Sequence, residues 1–573
     1  MRLILFVLLL ALTVNGGFLD GFKNLLGDGK NLGQKLKNAT IVGFHKLFNN
    51  TAFLNVREKL KNLKAKVRKT LELTPELMKS LKERLKKLRL IKKDVINPAG
   101  DSVDEVNEHA NIAEELFQGD IVLTEEQADE IVADVEEEIS GSNRTKRQAF
   151  KDGRYPSTTW SKGVNYYFAS WASPKMKSAF IKGAKQWQDD TCIDFKEDKD
   201  ATDRIFVFPE DGCWSYVGRL GNEQKLSLGN GCESVSTAAH EIGHALGFYH
   251  TMSRHDRDNH ITVVTSNIKP DWLDQFTKQT VSTNDNYGLK YDNGGIMHYG
   301  GRSASKNGGY TMVPFDTNYQ ETLGSPFISF IELSMMNEHY GCKKRCATSK
   351  TPCKNGGFPH PRNCNRCICP SGYGGPLCDR RPDGCGETLK ASEKWESLEA
   401  TVGDGYDVRE DFDKCNYWIE SPAGTRIEVK IVSFNKGLAT DGCIYGGVEV
   451  NSQEDQQLTG YRFCAPEDAG TTLRSYSNRV PIMIYNRAYR TDVELQYRFV
   501  RGNDPRPVGP SVVNPTRPFV SEIKIRPSVA IRPSVTITCR DEPICDSFRM
   551  IDICKKMSVE MLRQTCPKRC KLC

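Results

Sequence analysis

Three histidines fall within the eleven residues HEIGHALGFYH, at positions 240, 244 and 250. On an α-helix, residues four apart lie on one face a turn apart, so His240 and His244 can hold one ion between them. Gly247 can take the left-handed conformation that ends a helix. The chain then turns back, and His250 can approach the same ion from outside the helix. Glu241 points aside from that face, close enough to reach a water on the metal but not placed as a ligand. Three neutral imidazoles leave open coordination, which is the catalytic zinc arrangement rather than the closed structural one. A buried helix with satisfied histidines would need neither Gly247 nor His250 at these offsets.

The elements that position these groups are partly readable. Ala238, Ile242 and Ala245 supply the apolar opposite face of the histidine helix. The extended motif is the metzincin pattern, which requires a methionine turn beneath the metal. GGIMHYG supplies it, with Met297 as the turn residue. The chain more specifically resembles the astacin family, whose turn reads S-x-M-H-Y. Met297, His298 and Tyr299 match, while Gly295 stands where Ser is usual. TCIDF, GCWSYVG and SRHDRD look like astacin segments too, and the resemblance covers residues 148–343.

That resemblance implies an α+β metzincin catalytic domain and a zinc endopeptidase with one Zn²⁺. It implies bridges Cys192–Cys342 and Cys213–Cys232, with Tyr299 as a fifth zinc ligand at rest that swings away to donate to the reacting oxyanion. Zinc would acidify its water and polarise the scissile carbonyl. Glu241 would take the water's proton and return it to the leaving amine.

At 573 residues the chain is too long for one ordinary core. Its apolar start, LILFVLLLALTV, is too short to span a bilayer and has the layout of a signal peptide, giving residues 1–16 as a cleaved leader. No other apolar run is long enough to cross a membrane, so a secreted, extracellular product is expected. Twenty cysteines fit that oxidising compartment. The net charge of +6 is modest, and no nucleic-acid reader module is present.

Residues 17–147 contain no cysteine and read as a propeptide. Thr74 and Pro75 mark a helix start, with Leu77, Leu81, Leu85 and Leu88 on one face; docking is a simpler use for it than membrane binding. Thr124 and Gln127 form a capping box that opens an acidic helix. RTKRQAF carries Arg144, Lys146 and Arg147 in the pattern that furin-like convertases cut, leaving Gln148 as the mature N-terminus. Glycosylation triplets begin at Asn38, Asn49 and Asn143. FQGD resembles the F-x-G-D motif of astacin propeptides, which implies that Asp120 occupies the metal's open position, with Phe117 beside the cleft and Gly119 allowing close approach. Many astacins follow the third histidine with a Glu that holds the charged mature N-terminus. Thr251 stands there, and cyclisation of Gln148 to pyroglutamate would remove the charge.

The remaining cysteines form even groups, as self-contained disulfide modules require. Residues 344–380, with CKNGG and CICPSGYGGPLC, resemble an EGF-like module, which implies Cys346–Cys364, Cys353–Cys367 and Cys369–Cys378. Residues 385–500 resemble a CUB domain: RIEVKIVSF and VELQYRFV alternate as sandwich strands should. That resemblance implies Cys385–Cys415 and Cys443–Cys464, and Gly446, where calcium-binding members carry Asp, argues against a calcium site. Residues 501–538 read as a Pro-rich linker with a repeated IRPSV. Residues 539–573 resemble a small helical ShKT module, which implies Cys539–Cys573, Cys545–Cys566 and Cys554–Cys570. The function expected is therefore a secreted zinc endopeptidase, made as a zymogen and acting on extracellular, matrix or cuticle proteins. The competing reading, a non-catalytic matrix-binding protein, would be favoured by loss of a ligand or of Glu241, and none is lost.

Overall fold

The computed structural model describes residues 51–140, 149–280 and 284–501. The leader, Asn38, Asn49, Asn143, Arg147, Gln148, the linker beyond Arg501 and the last six cysteines lie outside the described residues.

Five strands between residues 164 and 228 form a sheet in the order Cys213–Tyr216, Glu223–Leu228, Arg204–Phe208, Val164–Phe168 and Phe195–Glu197, and Ile121–Val122, from upstream in the chain, adds a sixth strand beside Cys213–Tyr216. Only the Cys213–Tyr216 and Glu223–Leu228 pair is antiparallel. The helix Pro174–Asp189 begins with a Ser173 cap and proline in its first turn, where the missing N–H costs nothing. It packs against the helix Val235–Ala245, and their backbones come close at Gly183. A Cβ there would lie 2.8 Å from the Ala239 nitrogen. The Trp187 indole locks the pair by donating to the Ala239 carbonyl at 2.8 Å.

Seven disulfides close within the described residues: Cys192–Cys342, Cys213–Cys232, Cys346–Cys364, Cys353–Cys367, Cys369–Cys378, Cys385–Cys415 and Cys443–Cys464. The three between Cys346 and Cys378 surround a two-stranded sheet, Phe358–His360 with Asn363–Ile368. Next comes a β-sandwich of a five-stranded and a four-stranded sheet. Its strands Thr425–Asn435 and Thr491–Arg501 are adjacent and alternate in burial, and the inward residues Ile427, Val429, Ile431, Val493, Leu495 and Tyr497 join one core.

Before residue 141 the chain wraps the catalytic domain. The helix Thr51–Thr70 buries Val56, Leu60, Leu63 and Val67 against the helix Glu125–Ser140, with Lys59–Asp129 and Lys66–Glu136 ion pairs at the rim. Thr124 and Gln127 do form a reciprocal cap: each backbone N–H donates to the other's side chain, at 3.0 and 3.2 Å. The helix Pro75–Leu85 starts at its Thr74 cap. Its four-leucine face does not form: the helix stops before Leu88, Leu85 is exposed, and Leu81 is buried beside Arg84 instead. The reason is a set of acceptors under the helix. Arg84 donates to the Val313 and Pro314 carbonyls and to Thr262 Oγ1, over the Phe315 ring. No helix among the described residues is long and apolar enough to cross a membrane.

Candidate active site

The helix Val235–Ala245 starts at a Ser234 cap whose hydroxyl accepts from the Thr237 N–H. It ends as its glycine requires: Gly247 sits at φ +112°, its N–H donates to the His244 carbonyl, and the Phe248 N–H reaches back to Gly243. The return brings His250 onto the helix face carrying His240 and His244. The Nε2 atoms of His244 and His250 each lie 3.2 Å from His240 Nε2.

Each imidazole has its other nitrogen engaged. His240 Nδ1 donates to the Ile296 carbonyl at 2.7 Å, His244 Nδ1 to Phe248 at 2.7 Å, and His250 Nδ1 to Gln118 Oε1 at 2.9 Å. With the proton held at Nδ1, the Nε2 lone pairs converge as metal donors. Burial pushes the His244 and His250 pKa values down, the latter to about 3, whereas at His240 the hydrogen bond and charge of Asp120 outweigh burial and raise it.

Asp120 enters this cluster. Its Oδ2 lies 3.0 Å from His240 Nε2 and 3.1 Å from His250 Nε2, and its Oδ1 is 3.5 Å from His244 Nε2. Burial would raise the Asp120 pKa, but the surrounding imidazoles hold it well below the usual carboxylate range. Four donor atoms, three nitrogens and one oxygen, lie within 4.8 Å of one another and are all buried. That donor set and its closeness fit a tetrahedral zinc ion.

A family model for Astacin, a peptidase family, matches residues 152–341. The zinc metalloproteinase nas-31 of Caenorhabditis elegans is 44% identical over 498 residues, spanning 86% of this chain and 77% of that protein. This chain belongs to the astacin family. It is a zinc metalloendopeptidase. A second C. elegans relative, zinc metalloproteinase nas-32, is 36% identical over 455 residues, 78% of this chain and 67% of its own length. Among solved structures, the hatching enzyme zinc-protease High choriolytic enzyme 1 of Oryzias latipes is 28% identical across 34% of this chain and 94% of that one, with a TM-score of 0.30.

In this astacin, Glu241 is fully buried, and neither carboxylate oxygen meets a hydrogen-bond donor among the described residues. Burial, then the charge of Asp120, pushes its pKa well above the carboxylate range. The Tyr299 hydroxyl donates to Asp120 Oδ2 at 2.5 Å, so in this state it serves the carboxylate, and its ring lies 4.3 Å from that of His250. Met297 is buried beneath the histidines, and a Cβ on Gly243 would lie 2.6 Å from its sulfur.

Sequence reasoning missed three residues here. Glu332 accepts from the Ile296, Met297 and Ser329 N–H groups at 2.8–2.9 Å, strapping the methionine turn whose Ile296 carbonyl orients His240. Gly295 makes this possible, since a Cβ there would lie 2.4 Å from Glu332 Oε1. Asn107 donates to the Gly119 and Cys213 carbonyls and accepts from the Cys213 N–H, pinning the segment before Asp120 to the sheet edge. Gln118, the unassigned letter of FQGD, holds His250 and donates to the Thr277 carbonyl. The FQGD residues also include Phe117, edge-on to Tyr249 at 6.3 Å, and Gly119, at φ +89° with Tyr299 Oη 3.5 Å from where its Cβ would be.

Ala149 and Phe150 are buried, pairing with Asp285 and Asn284, and the Phe150 N–H donates to the Gly247 carbonyl. Thr251 is buried too, and its hydroxyl oxygen has no hydrogen-bond partner among the described residues.

Proposed function

We propose that this chain is a secreted zymogen, held latent by Asp120 and activated by cleavage after Arg147. The observation that carries this reading is the Asp120 carboxylate facing all three histidines from a segment upstream of that cleavage site. A strand from the same segment, Ile121–Val122, runs along Cys213–Tyr216 at the sheet edge. Removing residues 17–147 frees both the metal's fourth position and that edge, which then pairs with an extended substrate backbone.

His240, His244 and His250 hold zinc, which when bound acidifies a water and polarises the scissile carbonyl. Glu241, buried and without a donor of its own, receives the water's proton and delivers it to the leaving amine. Tyr299, released from Asp120, turns its O–H to the developing oxyanion. Met297 supports the histidines from below. Gln148 cyclises to pyroglutamate, and neutral Thr251 suits the uncharged end that results.

The boundaries follow the chemistry: signal peptide 1–16, propeptide 17–147, catalytic domain 148–343, EGF-like 344–380, CUB 385–500, linker 501–538 and ShKT 539–573. The appended modules bind extracellular partners, and substrates are proteins of matrix or cuticle. The test is activation in solution. Purified proprotein should hydrolyse a quenched peptide library only after convertase cleavage at Arg147, lose that activity to a chelator and regain it with zinc. Activity of the uncut chain equal to that of the cut chain would refute latency.

A further inference from the structure

A second assembled polar site lies at the seam between the catalytic domain and the β-sandwich, and its occupant is Arg89. The guanidinium places Nη2 2.9 Å from Glu321 Oε1 and Nε 2.9 Å from Asp468 Oδ1, and Nη1 donates to Thr471 Oγ1 at 2.9 Å. The Phe463 ring lies alongside, 5.3 Å from the guanidinium carbon to its centroid. Glu321 comes from the catalytic domain, while Phe463, Asp468 and Thr471 belong to the sandwich.

Both carboxylates are almost wholly buried, with side-chain exposures of 7% and 0%. Asp468 is fixed by the Cys464 and Ala465 N–H groups, which donate to its Oδ2. The walls are joined without Arg89. Tyr461 donates to Asp316 at 2.6 Å, Arg462 to Ser325 at 2.5 Å and Thr459 to Asp292 at 2.9 Å, each across the seam. The site therefore outlasts departure of the N-terminal segment. Glu321 lies against Asp468, and burial with the Asp468 charge pushes the Glu321 carboxyl well above its ordinary range; without Arg89 the pair keeps a buried charge with no cation beside it, which is costly.

The flanking contacts describe the rest of the ligand. Arg302 donates to the Ile91 carbonyl, the Asp94 N–H donates to the Ala439 carbonyl, and the Asp94 carboxylate accepts from the Ala439 N–H. These are contacts to an extended chain, two of them to its backbone. Acceptors at Nη1 and Nη2, with the Asp468 carboxylate beside Nε, suit a planar guanidinium better than lysine, whose ammonium is a single point charge.

We propose that this seam is an arginine-binding site, filled in the proprotein by Arg89 and in the processed enzyme by an arginine of its protein substrate. The proposal rests on the reading that residues 17–147 are removed. Its test uses the full chain after convertase cleavage and removal of the N-terminal segment. The probe is a fluorescent peptide of residues 86–94, KKLRLIKKD, against the same peptide with citrulline in place of Arg89.

Citrulline, which keeps the shape and loses the charge, should weaken binding by about a hundredfold. Glu321→Gln and Asp468→Asn enzymes should no longer distinguish the two peptides. The arginine peptide should also slow hydrolysis of casein while leaving a short arginine-free substrate unaffected. Equal affinity for both peptides, in a preparation with normal turnover of the short substrate, overturns the site. Discrimination between peptides with no effect on casein overturns the substrate role. Binding is read independently of turnover. A processed chain that discriminates the peptides but hydrolyses nothing therefore sustains the site and fails the catalytic reading instead.

Discussion

Glu241 is buried among groups that offer it no hydrogen bond, an arrangement that costs stability. As it is not among the four convergent donors, Glu241→Gln should retain zinc. Hydrolysis should fall by at least about a hundredfold, the scale of a lost general base. Metal analysis beside single-turnover kinetics checks both halves, and normal turnover with full zinc content would remove the assignment. On the proposed mechanism Tyr299→Phe deletes one oxyanion donor, and a barrier increase of about 2.7–4 kcal/mol should appear in kcat. A change confined to KM would instead make Tyr299 a substrate-binding residue.

The methionine turn and the helix Phe330–His339 act as one unit through Glu332. Gly295→Ser would drive its side chain into the Glu332 carboxylate, and overpacking of this kind costs about 1–3 kcal/mol. Shortening the partner with Glu332→Asp should restore most of that loss. Urea denaturation of both single variants and the double variant measures the coupling, and strictly additive losses would mean that the two positions do not share the strap. Legibility in the sequence divides along the same line. His240, His244, Gly247 and His250 are readable because helix geometry converts short spacing directly into proximity. Glu332, Asn107 and Gln118 act on groups 35, 106 and 132 positions away, and no local pattern marks them. The strands of the sandwich announce themselves by alternation. Arg84 shows the opposite: nothing in its local sequence marks it, yet it is buried against carbonyls 229 and 230 positions later.

Across the whole chain, the long bridge Cys192–Cys342 closes 150 residues of the catalytic domain, and the segment before residue 141 wraps the same domain from outside. Replacing both cysteines with serine should lower stability by about 5 kcal/mol, the loop-closure value for a ring of this size, as read by denaturant unfolding. The wrapping bears on function, because many contacts hold the segment while one carboxylate reaches the metal site. Steric cover and ligation are thus separable causes of the proposed latency. The most direct measurement compares two intact, uncleavable proproteins, Arg147→Ala and Arg147→Ala with Asp120→Ala, both shown folded and zinc-loaded. The account predicts silence from the first and measurable peptide hydrolysis from the second. Equal silence from both would contradict it, leaving the wrapped segment rather than Asp120 as what keeps the enzyme off.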